Sequence, residues 1–409
     1  MTSKTSSGLD DRLRRLPSSW AVVPLGELRS VQVVGYGITR PGEHIGGGVG
    51  MIRAADVKDG QLRADDPRRI DPGVHEANLR SRLEEGDVVV VLVGRVGEAA
   101  VVTRDFQDWN ASRTVAILRT PNPDEAAWLC LWLGSPEVRD WCERQATGST
   151  LQRTLSLAAL RSLPVPVPPP GPRAALLRAT RLLAAKTATN VRIAECATEL
   201  SDARFACEAR NSESWPEQSI AGLVHLTAGT ARRPRPDDDG TDTKGGTAFV
   251  APADILQSNL PHLYSTERRL PKGKECRVRA PGSLLVASRE DGVRVVMNHV
   301  PVVIGRGVLV LGLDSSSDAH WLLHEIRSRG AELAAAAHGS AGRELSRSAF
   351  GAITLRWPPS DVRERFARLV GCLHERVRIA QVEDEKLRDL RGRILDSFLT
   401  AAFPGESAP

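Results

Sequence analysis

Residues 148–170 read GSTLQRTLSLAALRSLPVPVPPP, and the chain writes nearly the same thing again at 339–359 as GSAGRELSRSAFGAITLRWPP. With one residue skipped, eight positions coincide: Gly148/Gly339, Ser149/Ser340, Arg153/Arg343, Leu155/Leu345, Ser156/Ser346, Ala159/Ala349, Pro168/Pro358 and Pro169/Pro359. Working outward, the echo continues. Trp20 and Trp215 lie 195 residues apart, and Gly86 of LEEGDVVVV and Gly282 of RAPGSLLVA lie 196 apart. SRTVAILR from Ser112 matches GRGVLVLG from Gly305 at 193, as Trp128 matches Trp321. A near-constant offset along the whole series is an internal duplication. Its period is far beyond a solenoid unit, so it predicts two domains rather than a stack.

Each copy has one internal order. A Trp opens it and a Gly-rich charged region follows. Then come β-branched runs bounded by glycine, DVVVVLV and TVAIL in the first copy, SLLVAS and GVLVL in the second. Such runs read as buried strands. A short helical pattern, the repeated stretch and a proline cluster close the copy. After each cluster comes a long helical pattern without internal proline. In the second copy Phe366, Leu373, Ala380, Leu387 and Ile394 fall at seven-residue steps, with Val370 and Val377 beside them. The first copy offers Leu176, Leu183, Asn190, Ala197 and Arg204, with Ile193, Leu200 and Cys207 on a neighbouring row. Heptads with charged flanks predict that the two helices pack on each other as a coiled coil, Asn190 helping to fix the pairing. Roughly 35 helical residues make a strut of about 50 Å, so the reading is two heads held apart by paired struts. The expected fold is α+β: two tandem-repeated α/β domains and two long antiparallel coiled-coil-like helices. The expected boundaries are a tail 1–17, a domain 18–170, a helix 171–211, a domain 212–359, a helix 360–403 and a tail 404–409.

With 409 residues and 41% apolar content, the chain has material for two or three cores. No apolar run reaches the ~18 residues of a membrane span, and the opening MTSKTSSGLDDRLRRL lacks the apolar centre of a secretory signal, so a cytoplasmic protein is expected. The six cysteines are scattered, without a C-x-x-C pair, and read as small buried hydrophobes. A net charge of +5 permits nucleic-acid binding without demanding it.

The layout resembles the specificity (S) subunit of Type I restriction–modification systems. The residues that carry the resemblance are the Trp opening each copy, GDVVVVLVGRVG at 86–97, and the Gly-Ser…Leu…Pro-Pro stretch leading into a long helix; together they span 20–403. Two places depart from the family pattern. The usual Glu-Gln after Pro-Pro is Pro-Gly-Pro-Arg in one copy and Ser-Asp-Val-Arg-Glu in the other, and Ser283 stands where the first copy has Asp87. The resemblance implies a non-catalytic DNA reader, with each target-recognition domain recognising half of a split double-stranded target. The helices would set the spacing and dock two adenine methyltransferase (M) subunits, with restriction (R) subunits sometimes added. S-adenosylmethionine, and ATP and Mg²⁺ where a nuclease joins, would then belong to the partners, and this chain would carry no cofactor. The implied docking positions are Leu176, Leu183, Ile193, Leu200, Phe366, Leu373, Leu387 and Ile394. A close variant keeps the fold but serves another phage-defence methylation system.

Arginines in Gly-rich loops suit base-edge recognition, since a guanidinium grips guanine bidentately, whereas lysines more often hold phosphates. The expected DNA contacts of the first copy are Arg40, Arg53, Lys58, Arg63 and Arg95, with Arg68 and Arg69 near them. In the second copy they are Arg232, Arg233, Lys244, Arg268, Arg269 and Arg289, within or beside GTARRPRP and the basic run ERRLPKGKECRVR. Arg113 and Arg306, equivalent across the repeat, read as structural. PDDDGTDTK at 236–244 contains Asp237, Asp242 and Lys244, which superficially match a Mg²⁺ nuclease set but lack the intervening strand. His320 and His324 stand one turn apart with no third ligand evident, and read as satisfied histidines. No phosphate loop and no N/D-P-P-Y/F methyltransferase sequence occurs, so the chain is expected to be catalytically silent and metal-free.

Overall fold

The computed structural model describes residues 8–58, 60–64, 66–148, 153–231, 246–258, 260–266, 268–270, 277–289, 292–337 and 346–400. The chain divides into two compact units, Met1–Ala184 with Asp389–Pro409, and Ala185–Arg388.

In the first unit the valine run Val88–Val91 is buried on both faces, as a continuous apolar run requires. It lies inside an antiparallel sheet ordered Val33–Tyr36, Val115–Arg119, Val88–Val91, Ala99–Val101. Val88 and Val90 face a core containing Trp128 and Trp132, while Val89 and Val91 face a second core with Ile52 and Leu83. A smaller sheet joins Arg68–Ile70, Val49–Ile52 and Asn110–Ala111, the last two parallel. The second unit repeats the plan. Its main sheet runs His225–Ala228, Leu309–Gly312, Leu284–Arg289, Gly292–Asn298, His262–Leu263. Its smaller sheet contains the matching parallel pair, Thr247–Val250 beside Val302–Ile304.

The repeated stretch closes each domain. Ser156 caps the short helix Leu157–Arg161 by accepting from the Ala159 N–H at 3.1 Å, and Ser346 caps Arg347–Ala352 through Ala349. The strand Pro164–Val167 then pairs with Ala21–Pro24, and Thr354–Arg356 pairs with Glu217–Ser219, joining each domain's end to its beginning. Trp128 and Trp132 donate their indole N–H groups to Pro166 O (2.9 Å) and Pro164 O (3.0 Å). Buried indoles thus find partners in the proline-rich strand.

The departure at Asp87 has a physical account. Asp87 is buried and accepts from Arg119 at 2.9 and 2.8 Å and from the Glu84 N–H at 2.8 Å. In the second copy the buried Asn298 takes over. Its Oδ1 accepts from Ser283 N–H at 2.9 Å, and its amide donates to Ala280 O and Val300 O. A neutral amide with both roles satisfies the turn without a buried ion pair.

The long helices span Pro170–Glu208 and Ser360–Thr400, and each unit takes part of both. In the first unit Leu176 shares a core with Leu395, Phe398 and Leu399, and the Phe398 ring lies 5.0 Å from Trp20 and 6.0 Å from Trp128. In the second, Ala194 and Ala197 pack on Val377 and Ala380, and Phe205 meets Phe366 at 5.8 Å. Rising numbers on one helix meet falling numbers on the other, so the packing is antiparallel, as expected. Asn190, 1% exposed, donates to Glu383 (2.9 Å) and Asp384 (3.0 Å), while Lys186 pairs with Glu383 at 2.8 Å.

The expected rows need correction. Leu200 is 52% exposed, and Arg204 and Cys207 are exposed; Ala197 is buried as expected, and Ala194, Ser201 and Phe205 complete the buried face. On the second helix Val370, Val377, Asp384 and Phe398 are buried, whereas Leu373, Leu387 and Ile394 are half-buried. A straight helix drifts ~20° per heptad against a seven-residue repeat, so over five heptads a strict row turns out of the seam.

Each long helix is also tied to the short helix of its own domain by an equivalent ion pair. Arg173 meets Glu125 at 2.6 Å and Arg363 meets Asp318 at 2.6 Å, the two arginines standing at the same place after the proline clusters. Asn190→Ala leaves the buried Asp384 carboxyl unpartnered, a change expected to cost about 1–3 kcal/mol. Urea unfolding of the full chain measures it; an unchanged midpoint would remove Asn190 from the contacts that hold the seam.

Candidate nucleic-acid interface

In the second unit the strand His225–Ala228 runs into Gly229, where an added Cβ would stand 2.1 Å from Gly305 O. Only glycine permits that approach, and Gly229 lines a cavity of about 530 Å³ together with Thr227, Thr230, Arg277, Arg279 and Arg347, among others. Arg279 donates to Thr227 Oγ1 at 2.6 Å. Burial lowers its pKa, and the neighbouring Arg277 charge lowers it further. Among the described residues none of these three guanidiniums is ion-paired with a carboxylate. Clustered cations without a counter-charge, part of them withdrawn from water, make an anion site, and the guanidinium fork matches phosphate and base edges.

In the first unit Arg95 donates to Val57 O at 2.9 Å and meets Glu98 at 3.4 Å. That bond sets it against the hairpin Val57–Lys58/Gln61–Leu62, which carries exposed Lys58 and continues to exposed Arg63. Arg95 also lines a cavity of about 460 Å³ with Arg139 and Glu143. Three of the expected cations are thus brought together. Arg40 is exposed in the loop after Val33–Tyr36. Arg53 is held otherwise, paired with Asp56 through Nε and a terminal nitrogen at 3.1 Å and donating to Asp66 O. The Asp56 hydrogen bond raises its pKa against the opposing effect of burial, so this guanidinium is committed to its own turn. Arg68 and Arg69 brace backbone too, donating to Gly42 O and Gly48 O.

Of the second copy's residues, Arg268 is half-buried and Arg269 is exposed, donating to Gly246 O at 3.1 Å. Arg289 ends the strand Leu284–Arg289, and its side chain lies outside the described residues. Arg232, Arg233, Lys244, Asp237 and Asp242 also lie outside them. Arg113 and Arg306 make equivalent backbone bonds, to Ile38 O and Ala231 O. Of the docking positions, Leu176 and Phe366 are consumed by their own cores, Leu183 and Ile193 are half-buried, and Leu200 is open.

The cysteine expectation holds only in part. Burial pushes the Cys142 thiol up to about 12 and that of Cys130 to about 11, but Cys196, Cys207 and Cys372 are exposed on the long helices. No group of three or more His, Cys, Asp or Glu among the described residues could hold a metal ion. Sequence reasoning passed over Thr227 and Arg347 at the cavity. Arg347 follows the capping Ser346, where the first copy has Leu157, so the signal lay in a mismatch inside the repeat.

No family model matches the chain. It is 28% identical over 165 residues to the Type I restriction enzyme EcoBI specificity subunit of Escherichia coli, covering 39% of this chain. The match spans about a third, 34%, of that relative's length. Among solved structures, the Type I restriction–modification S subunit from M. genitalium aligns over 95% of this chain and 99% of its own, at 12% identity and TM-score 0.49. The HsdS subunit from Thermoanaerobacter tengcongensis aligns over 95% and 98%, at 18% identity and TM-score 0.35.

Arg279→Glu is expected to weaken duplex binding and to flatten the slope of log K against log[salt] by about one unit for each phosphate the cavity no longer holds. Arg53→Ala should leave that slope alone and lower the unfolding midpoint. A salt titration of both variants separates the roles, and equal slopes for Arg279→Glu and the unaltered chain would discount the cavity.

Proposed function

We propose that this chain, which belongs to the specificity-subunit family of Type I restriction–modification systems, is a non-catalytic reader of a bipartite DNA target. Each unit takes one half-site. Adenine methyltransferase subunits dock on the long helices, with restriction subunits joining where cleavage accompanies methylation. The observation that carries the reading is the duplication itself: two copies of one sheet pair, each closed by a serine-capped helix and a strand that leads into a proline cluster. An asymmetric target in two pieces calls for two readers built alike and differing in their loops, and the copies differ there. The second holds unneutralised Arg277, Arg279 and Arg347, where the first presents Lys58, Arg63 and Arg95.

Docking is supported by apolar side chains left open on the long helices, Leu182 at 67% and Leu390 at 44% in the first unit and Leu200 at 52% in the second. An exposed leucine on a helix face is the ordinary anchor for a partner's groove. S-adenosylmethionine then belongs to the methyltransferase, and ATP with Mg²⁺ to the nuclease. No helix among the described residues is long and apolar enough to cross a membrane.

Co-expression with an adenine methyltransferase of the same system, followed by genome-wide mapping of modified adenines, is the test. The expected result is one split motif with a fixed gap. Exchanging 18–170 for the same segment of a homologue should change one half of the motif and leave the other intact. A single undivided motif, or no modification with a complex demonstrably formed, would refute the reading.

A further inference from the structure

Inside the second unit a line of histidines joins three parts of the fold, and nothing in the proposed DNA reading uses it. His324 Nδ1 lies 2.6 Å from Asp202 Oδ1, and its Nε2 lies 3.0 Å from His374 Nε2. His374 Nδ1 is 2.7 Å from His262 Nε2, and His262 Nδ1 is 2.8 Å from His299 Nε2. Asp202 stands on the first long helix, His374 on the second, and His324 on the short helix Ser316–Ser328. His262 lies in an edge strand, and His299 follows the strand Gly292–Asn298. His324, His374 and His262 are 1%, 6% and 3% exposed, while His299 is half-buried.

The proton arrangement follows from the anchor. An ionised carboxylate only accepts, so His324 carries its hydrogen on Nδ1. With all four rings neutral, each bond then has one solution. His374 Nε2–H donates to His324 Nε2, His262 Nε2–H to His374 Nδ1, and His299 Nε2–H to His262 Nδ1. Every nitrogen is satisfied except His299 Nδ1, the terminus nearest water. A proton taken up there shifts each hydrogen one bond along. The charge emerges on His324, doubly protonated beside Asp202, with the other three tautomers reversed and no heavy atom displaced.

We infer that this line of imidazoles is a proton-operated latch. Neutral, it ties the main sheet of the second unit to both long helices; charged, it keeps its hydrogen bonds but leaves an imidazolium withdrawn from water, so protonation weakens the tie. The surroundings offer little to a cation. Asp202 is already gripped by Arg327 at 3.1 and 2.8 Å, so a charged His324 competes for one carboxylate. On the second long helix Glu375 favours a charge on His299 but is committed to Arg378, which opposes that charge more strongly. Tyr264 stacks on His299 at 4.5 Å, and the His320 ring stands 4.8 Å from His374 with its Nδ1–H given to Ser316 O. Burial accordingly lowers all five histidines, His299 to about 4. Asp202, which burial would raise, is brought down to about 2 by His324 and Arg327. The first copy has no counterpart: Leu131 stands where His324 does.

The folded unit holds these rings neutral, whereas the unfolded chain protonates them near 6.5. Stability is therefore full above 6.5 and falls as the pH drops toward 4. For each neutral histidine the folded-to-unfolded ratio drops up to about tenfold per pH unit. Nitrogen-detected NMR of the histidine-labelled full chain should find Nδ1–H on His324 and Nε2–H on His374, His262 and His299, unchanged from pH 8 to 6. Urea midpoints of the second unit should fall between pH 7 and 5. In His374→Gln that fall should be shallower by at least one proton's worth. A ring of the four titrating near 6.5 in the folded chain, or a flat midpoint, overturns the latch. If His374→Gln fails to fold, the tautomer pattern of the unaltered chain decides alone.

Discussion

An apolar seam on a long helix has no stable place in water except against another seam, and much of this chain is arranged around that constraint. The helices Pro170–Glu208 and Ser360–Thr400 run antiparallel, and each domain sets its own aromatic side chains on them: Trp20 on Phe398, Trp321 on Phe205 and Phe366. The seam is not uniformly greasy. Asn190 interrupts it with two hydrogen bonds to acidic residues, a less stable choice than leucine but one that admits a single register. The ion pairs Arg173–Glu125 and Arg363–Asp318 then set where each domain sits on the start of its helix.

Duplication gave the chain two domains that are alike in frame and free to differ in detail. What is held constant is geometry: capping serines, the closing strand paired with the opening one, and the parallel pair in the smaller sheet. What differs is chemistry at equivalent places. A buried Asp87–Arg119 pair becomes Asn298, and Leu157 becomes Arg347 at the mouth of a basic cavity. Leu131 becomes His324 at the head of a histidine line. The frame carries the positions, and loops and interior polar groups carry the individuality of each copy.

The frame was legible because a repeat is counted rather than inferred. Two copies of Gly-Ser…Pro-Pro, with Trp and Gly landmarks at nearly constant offset, left little room for another architecture. The helix rows were half legible: Phe366 and Val370 face inward as read, but a seven-step ruler laid over a 3.6-residue helix walked off the seam and put Leu200 in the wrong place. The site was less legible still. Arg53 and Arg95 look alike in a sequence, yet one is committed to Asp56 and the other reaches Val57 O, at the hairpin that carries Lys58, while pairing with Glu98. Nor does spacing announce the histidine line. Its members come from positions 262, 299, 324 and 374, and only the fold makes them neighbours.

The seam also bears on how the chain is made. The core containing Trp20 and Trp128 is completed by Leu395, Phe398 and Leu399, more than two hundred residues downstream of the strand that closes the first domain. At roughly 5–20 residues per second of translation, that domain waits on the order of ten to fifty seconds with an aromatic face uncovered. Its maturation is therefore tied to the emergence of the second long helix from the ribosome, and a nascent chain halted before it presents a sticky, half-roofed body to whatever chaperone is near.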